Sequence, residues 1–248
     1  MDALNFKRVE MKYLVTREQY TKIQEELLKN GMEKDKYYFS TIQSLYYDTP
    51  NKLLIRKSIE KPDYKEKLRL RGYGIIKPNQ KAFLEIKKKY DGIVYKRRID
   101  TSEENAMRFM RNKDEHLEGQ IGKEIEYFRD FYKTLEPSML IIYDRFSYGQ
   151  PNTDLRITFD TNVRYRTTDL SLSRALYGTL ILSYDYAIME IKTAVGLPLW
   201  LCKLLSETKS YKSSYSKYGT AYELDLVKEK LLWVQVSFLD LFSQIVIV

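Results

Sequence analysis

Residues 65–74, KEKLRLRGYG, alternate strictly between two kinds of side chain. In an extended strand, residues two apart share a face. Lys65, Lys67, Arg69 and Arg71 therefore fall on one side, with Glu66, Leu68 and Leu70 on the other. Four cations along one face repel each other, and strand propensity does not ask for them. Lysine at every second position of an exposed strand can serve as a guard against edge-to-edge aggregation. The rest of the chain decides between that reading and a functional one.

Three further segments repeat a related pattern: Glu10-Met11-Lys12, Glu85-Ile86-Lys87 and Glu190-Ile191-Lys192. In each, acid and base share a face and the residue between them is apolar. Val9, Leu84 and Met189 lie on the apolar side as well. Lys96 with Arg98, Arg145 two after Tyr143, and Arg156, Thr158 and Asp160 add polar faces at the same period, followed by Arg164 and Arg166. Strands with a polar inner face and an apolar outer face, covered by helices, invert the usual small barrel and suit a charged, water-filled tunnel.

The coarse organisation agrees. Strands are expected at RVEMKYLV, IQSLYYDT, YKEKLRLRGY, AFLEIKKKY, IVYKRRID, LIIYDRFSYG, LRITFDT and YAIMEIKT. Thr16 with Gln19, and Thr101 with Glu104, form capping boxes for two helices. Residues 121–135 carry Ile125, Phe128, Tyr132 and Leu135 on one helical stripe, and Pro198 opens a helix with Leu201, Leu204 and Leu205 on its apolar face. From Leu224 to Ile245 a spacing of three and four predicts a long amphipathic helix that plugs or braces the sheet; a membrane surface or a partner is its alternative. Many strands with few helices between them predict an antiparallel α+β fold of barrel type. One domain over residues 1–248 is expected, with its core at about 8–222 and the helix at about 223–248.

Composition narrows the function. The 248 residues include 42 Lys and Arg against 34 Asp and Glu, a formal charge of +8, so an anionic partner is expected. Cys202 and His116 are each the single residue of their type. No intrachain disulfide can form, a zinc site of Cys and His is excluded, and His116 in its polar run is expected to be exposed. The first residues lack a signal-peptide pattern, no uncharged apolar run reaches membrane-spanning length, and a cytoplasmic location is expected. The 22 tyrosines sit beside apolar strand positions rather than among the cations, which argues against nucleic acid. No Walker A loop or G-x-G-x-x-G is present. A cationic tunnel with isolated carboxylates matches a linear polyphosphate and a divalent metal held by oxygen ligands.

RVEMKYLV, SLYYDT, KLRLRGYG, FLEIKKKY, YDR, MEIK and SYSKYG occur in this order from about Arg8 to Tyr222. Together they resemble the VTC domain, the polyphosphate polymerase branch of the triphosphate tunnel metalloenzymes. The resemblance implies an antiparallel eight-stranded tunnel, and an enzyme that transfers the γ-phosphate of ATP onto a polyphosphate chain with Mn²⁺ or Mg²⁺. It implies catalytic roles for Arg69, Arg71, Lys87, Arg145 and Lys192. Lys12, Arg56, Tyr143, Ser216 and Lys217 would bind phosphate or polyphosphate, and Glu190 the metal. Ser214 stands where eukaryotic members carry a lysine. Those members couple synthesis to a membrane channel, so translocation here would require a membrane-associated partner. The hydrolytic relatives carry Glu-x-Glu-x-Lys where this chain has Arg8-Val9-Glu10-Met11-Lys12; loss of the first acid favours polymer synthesis over hydrolysis. A tunnel triphosphatase and a non-catalytic polyphosphate-binding module remain as alternatives.

Overall fold

The computed structural model describes residues 9–228 except Gly92 and Val195, together with Lys230. Eight strands form one continuous antiparallel path. Its order is β1 (Val9–Thr16), β9 (Tyr186–Thr193), β7 (Arg156–Arg166), β6 (Glu136–Gly149), β2 (Glu33–Asp48), β3 (Tyr64–Tyr73), β4 (Lys81–Tyr90) and β5 (Ile93–Ser102). The two-residue β8 (Thr179–Leu180) pairs with β7 beside the path. Helices α1 (Arg17–Lys29), α2 (Leu53–Ile59), α3 (Glu103–Arg111), α4 (Gly119–Tyr132) and α5 (Leu199–Glu207) are joined by α6 over 217–228.

The path curls into a tunnel. β1 and β4 are six steps apart in the sheet, roughly 29 Å if it were flat, at about 4.8 Å per strand. Yet Lys87 of β4 and Glu10 of β1 act on each other's ionisation, which brings the two walls face to face. The open edge of β1 is covered by the strap before α6. Ser213 N–H donates to the Lys12 carbonyl at 2.7 Å, Lys212 bridges to Tyr13, and Lys12 Nζ donates to the Tyr215 carbonyl at 3.4 Å.

The outer face is the core. Leu68 and Leu70 of β3, Leu84 and Ile86 of β4 and Leu140 and Ile142 of β6 pack under Ala106 and Phe109 of α3 and Ile125 and Phe128 of α4. Tyr13 and Val15 of β1, Ile157 and Phe159 of β7 and Met189 and Ile191 of β9 pack under Ile23 and Leu27 of α1 and Leu201, Leu204 and Leu205 of α5. Each fully buried leucine or isoleucine contributes about 1.5–3 kcal/mol by leaving water. The helices are therefore bound to the sheet's outside, and the polar strand positions turn inward.

One end of the lumen is closed by a third cluster. Tyr46, Ile141, Tyr143, Val163, Tyr165 and Ile188 meet Ile55 of α2 and Tyr218 and Ala221 of α6. The Tyr46 and Tyr218 rings stack at 4.2 Å. Asp48, wholly buried at the end of β2, ties this plug together. Its carboxylate accepts from the backbone N–H groups of Leu54 and Ile55 at 2.8 and 2.9 Å and from the Tyr218 hydroxyl at 3.0 Å. It thus serves the first turn of α2, whose preceding residue Lys52 adopts a left-handed φ of 58° and offers no side-chain cap.

Several expectations hold. Thr16 and Gln19 form the capping box of α1, and Gly31, at φ +78°, receives the chain after its end. The C-terminal helix begins at 217, earlier than expected, and it is Tyr218 and Ala221 that enter the plug, whereas Leu224 and Val227 of the expected stripe are exposed; the rest of that expectation, from Leu231 to Ile245, lies outside the described residues, as does Arg8. Other expectations are corrected. The α3 cap is Ser102, whose hydroxyl accepts from Asn105 N–H at 3.1 Å, because the strand runs one residue past Thr101. Lys65 does not stand free as an edge guard: its Nζ donates to the Ser58 carbonyl of α2 at 3.1 Å. Arg164 and Arg166 do not continue the polar face of Thr158 and Asp160. The pairing of β6 with β7 shifts between Ile142 and Asp144, opposite Asn162, which takes a left-handed φ of 51°. This bulge reverses the alternation, so Val163 and Tyr165 face the plug. Arg166 instead donates to the carbonyls of Asp169, Ser171, Ala175 and Tyr177 and shapes the following loop.

Replacing Asp48 with Ala removes the acceptor of the Leu54 and Ile55 N–H groups and leaves the Tyr218 hydroxyl only its 3.4 Å contact with Ser138. The expected loss is about 3 kcal/mol in urea unfolding, with Tyr218→Phe losing about 1 kcal/mol.

Candidate active site

Inside the tunnel, two carboxylate hubs organise the cations. The first is Glu85 on β4. Its neighbours across the β3 and β5 ladders bring Arg69 Nε to 2.7 Å, Lys96 Nζ to 2.9 Å and Arg71 Nε to 3.8 Å. Register explains this, since Glu85 lies opposite Arg69 on one side and Arg98 on the other. Burial opposes ionisation of Glu85, but the three cations outweigh it and hold its carboxyl at about 2. Arg69 Nη1 also donates to the Tyr46 hydroxyl at 3.2 Å, and Arg71 Nη2 to that of Tyr143 at 3.4 Å.

The second hub joins β6, β7, β9, β1 and α6. Arg145 forks onto Asp160 through Nε and Nη2 at 2.6 and 2.7 Å, a bidentate, charge-assisted pair. Lys217, the first residue of α6, reaches Asp160 at 2.5 Å and Glu190 at 3.5 Å. Arg145 Nη2 lies 3.4 Å from Glu190, Lys192 Nζ 3.5 Å and Lys12 Nζ 3.8 Å. The buried Glu190 therefore meets four cations. Burial alone would raise its carboxyl; Lys217, Arg145, Lys12 and Lys192 hold it well below the usual carboxylate range. Asp160, wholly buried, is likewise lowered against burial by Arg145 and Lys217. The Tyr143 ring lies beneath both Arg145, at 5.3 Å, and Lys217, at 4.8 Å.

Between the hubs the cations are less fully matched. Burial brings Lys67 down to about 8, although Tyr46 opposes the shift, and burial also lowers Lys87 despite Glu10. The buried Tyr46 hydroxyl, whose desolvation would raise it, is brought to about 8 by Arg69, Lys67 and Arg71. Three polar atoms on this inner surface, Ser44 Oγ, Thr158 Oγ1 and Arg71 Nε, are buried without a hydrogen-bond partner. Thr158 stands opposite Glu190 in the ladder and Ser44 opposite Arg71. Such atoms are costly unless a ligand or water completes them.

Glu10 and Glu190 face the same two ammoniums: Lys12, at 3.7 and 3.8 Å, and Lys192, at 4.0 and 3.5 Å. They offer only oxygen, the donor chemistry of Mg²⁺ and Mn²⁺. Among the described residues no three acidic, His or Cys side chains gather as a metal-binding group. An ion held here would complete its shell with phosphate oxygens and water.

Of the residues singled out in the sequence, Arg69, Arg71, Lys87, Arg145, Lys192, Lys12, Tyr143, Lys217 and Glu190 all face this lumen. Ser216 sits at its edge as the cap of α6, its hydroxyl accepting from Gly219 N–H at 3.2 Å. Arg56 is exposed on α2 rather than on a tunnel strand. Ser214 is exposed in the strap. Asp160 and Glu85, the hub acids, were missed as site residues even though both show the polar alternation of their strands. Tyr46 and Ser44 were missed because the β2 sequence around them is apolar and aromatic on both faces.

The VTC domain profile matches residues 7–225. The chain belongs to the VTC domain family. Comparison with curated proteins gives no match. Among solved structures, a proposed adenylate cyclase from Bacillus halodurans aligns with a TM-score of 0.51 at 12% identity, over 85% of this chain and 95% of the other. A proposed adenylyl cyclase from Hippeastrum, described as having a dominant triphosphatase activity, aligns with a TM-score of 0.49 at 15% identity, over 87% and 95%. The Bacillus likeness supports the fold of this VTC domain. Among its described residues no helix is long and apolar enough to cross a membrane.

The Glu85 hub has a pH signature. The folded carboxyl titrates at about 2 instead of its ordinary 4.5, so its contribution to stability is present above 4.5 and is lost as pH falls toward 2. Glu85→Gln, which leaves Arg69 without its partner, is expected to cost about 3 kcal/mol at pH 6. That penalty shrinks steadily below pH 4.5 in denaturant titrations of the two proteins.

Proposed function

We propose that this VTC domain is a polyphosphate polymerase, transferring the γ-phosphate of ATP onto inorganic polyphosphate inside the tunnel. The observation that carries the reading is the charge balance of the lumen. Among the described residues, Lys12, Lys67, Arg69, Arg71, Lys87, Lys96, Arg145, Lys192 and Lys217 converge there against Glu10, Glu85, Asp160 and Glu190. A polyanion fits the surplus.

In the step itself, a terminal oxygen of the polyphosphate attacks the γ-phosphorus. A new P–O–P bond forms, the bond to the β-phosphate oxygen breaks, and ADP departs with that electron pair. Phosphoryl transfer asks the protein for alignment and for neutralisation of charge on the non-bridging oxygens. Arg69, Arg71 and Arg145 supply planar donor pairs for those oxygens, and Lys12, Lys87, Lys192 and Lys217 supply point charge. Asp160 keeps Arg145 and Lys217 aimed inward through the contacts described above. Glu190 and Glu10 would hold one Mn²⁺ or Mg²⁺, which neutralises phosphate charge when bound. Ser216 and Lys217 hold the chain near the plug, while Arg56 would act only from outside the tunnel strands.

Incubation with ATP and Mn²⁺, followed by gel electrophoresis, is expected to yield long acid-labile polymer. Glu190→Gln is expected to lower its yield at least ~100-fold. ATP converted only to ADP and free phosphate would replace this reading with a tunnel triphosphatase. Salt-sensitive polyphosphate binding without turnover, persisting in Glu190→Gln, would replace it with a binding module.

A further inference from the structure

Outside the tunnel wall, a cavity of about 340 Å³ opens between α2, the start of β3, the end of β4 and α4. Its chemistry divides into two parts. Lys57, Lys65 and Lys88 bring three ammoniums to its lining. The carboxylate there, Glu66, is already engaged: Tyr64 donates to one oxygen at 2.6 Å and Tyr132 to the other at 2.7 Å. The cavity therefore favours an anion. Burial and the nearby Lys89 and Lys61 already depress the Lys65 ammonium, a strain that a bound anion would relieve.

The other part is aromatic. Tyr127 and Phe131, one turn apart on α4, stack at 6.1 Å with 27° between their planes. They remain 67% and 60% exposed, while Ile125 and Phe128 of the same helix are buried in the core. Two aligned rings left in water beside three ammoniums form a platform for a flat ring that carries negative charge. A bare phosphate would leave the rings unused, and an uncharged aromatic molecule would leave the lysines unused. The volume lies at the small end of ligand pockets, about 300–1,000 Å³, and suits a single compact ligand.

We propose that this cavity is a nucleoside-phosphate site distinct from the tunnel. The base stacks on Tyr127 and Phe131, and the phosphates lie against Lys57, Lys65 and Lys88. Lys65 is two residues before Lys67 on β3, so the site adjoins the plugged end of the tunnel's cation series.

Photo-crosslinking of the full chain with 8-azido-ATP, mapped by peptide mass spectrometry, tests this without any turnover. Adducts are expected on α4. They should fall about tenfold or more in the Tyr127→Ala/Phe131→Ala variant, whose substitutions lie on the surface and should leave the circular dichroism spectrum unchanged. Unlabelled ATP should compete at least tenfold better than inorganic tripolyphosphate. Adducts confined to tunnel peptides, labelling indifferent to the double substitution, or equal competition by tripolyphosphate would each overturn the proposal. A chain that makes no polymer yet labels α4 would retain this site and lose only the polymerase reading.

Discussion

Mutual repulsion among cations is the constraint around which the rest of the tunnel is built. Side chains two residues apart on a strand are held together by the backbone, and closing the sheet adds cations from the opposite wall. In a partly desolvated lumen such charges act on each other far more strongly than at a surface. Glu85, Asp160 and Glu190 answer this at two places, each meeting two or more cations from neighbouring strands or from α6. Removing Glu85 leaves Arg69, Arg71 and Lys96 without an acid, whereas in the second hub Arg145 and Lys217 each meet both Asp160 and Glu190. The hubs are asymmetric in that sense, and the acids bear more of the structural burden than their number suggests.

The plug and the bulge follow from the same constraint. A closed ring of cations along the whole tunnel would need more acids than the strands supply. At one end the sequence changes from charge to Tyr46, Ile141, Tyr143, Val163 and Tyr165, and α6 packs into that apolar section. The shift opposite Asn162 turns Val163 and Tyr165 inward where unbroken alternation would have brought in Arg164 and Arg166. Asp48 then couples plug to tunnel, because Tyr218 bonds it through the hydroxyl while the adjacent Lys217 enters the second hub.

The inverted barrel was legible because its signal is local. The period of two, written into KEKLRLRGYG and the three Glu-x-Lys segments, states which face is polar, and the helical stripes state what covers the other. Parity places the charged residues of those strands on one face, and the resemblance assigns their roles. What stayed hidden depends on contacts distant in sequence or on backbone events. The α2 helix of seven residues has no capping side chain of its own, since its acceptor Asp48 precedes it by several residues. The bulge leaves no mark except a left-handed Asn162. Arg166 looks like a tunnel cation and is instead a loop organiser. Arg56, assigned by resemblance rather than by strand parity, lies exposed on a helix.

Tyr46 shows how a phenol takes part in the tunnel's charge balance beside the acids. The hydroxyl accepts from Arg69 and lies close enough to Lys67 and Arg71 for all three to favour its ionised form, against burial. Lys67, conversely, loses charge to burial and regains some from Tyr46. Both groups thus sit at about 8, and each responds to the charge around it. Added negative charge beside Arg69 would raise both groups together, favouring the protonated Lys67 and the phenol of Tyr46.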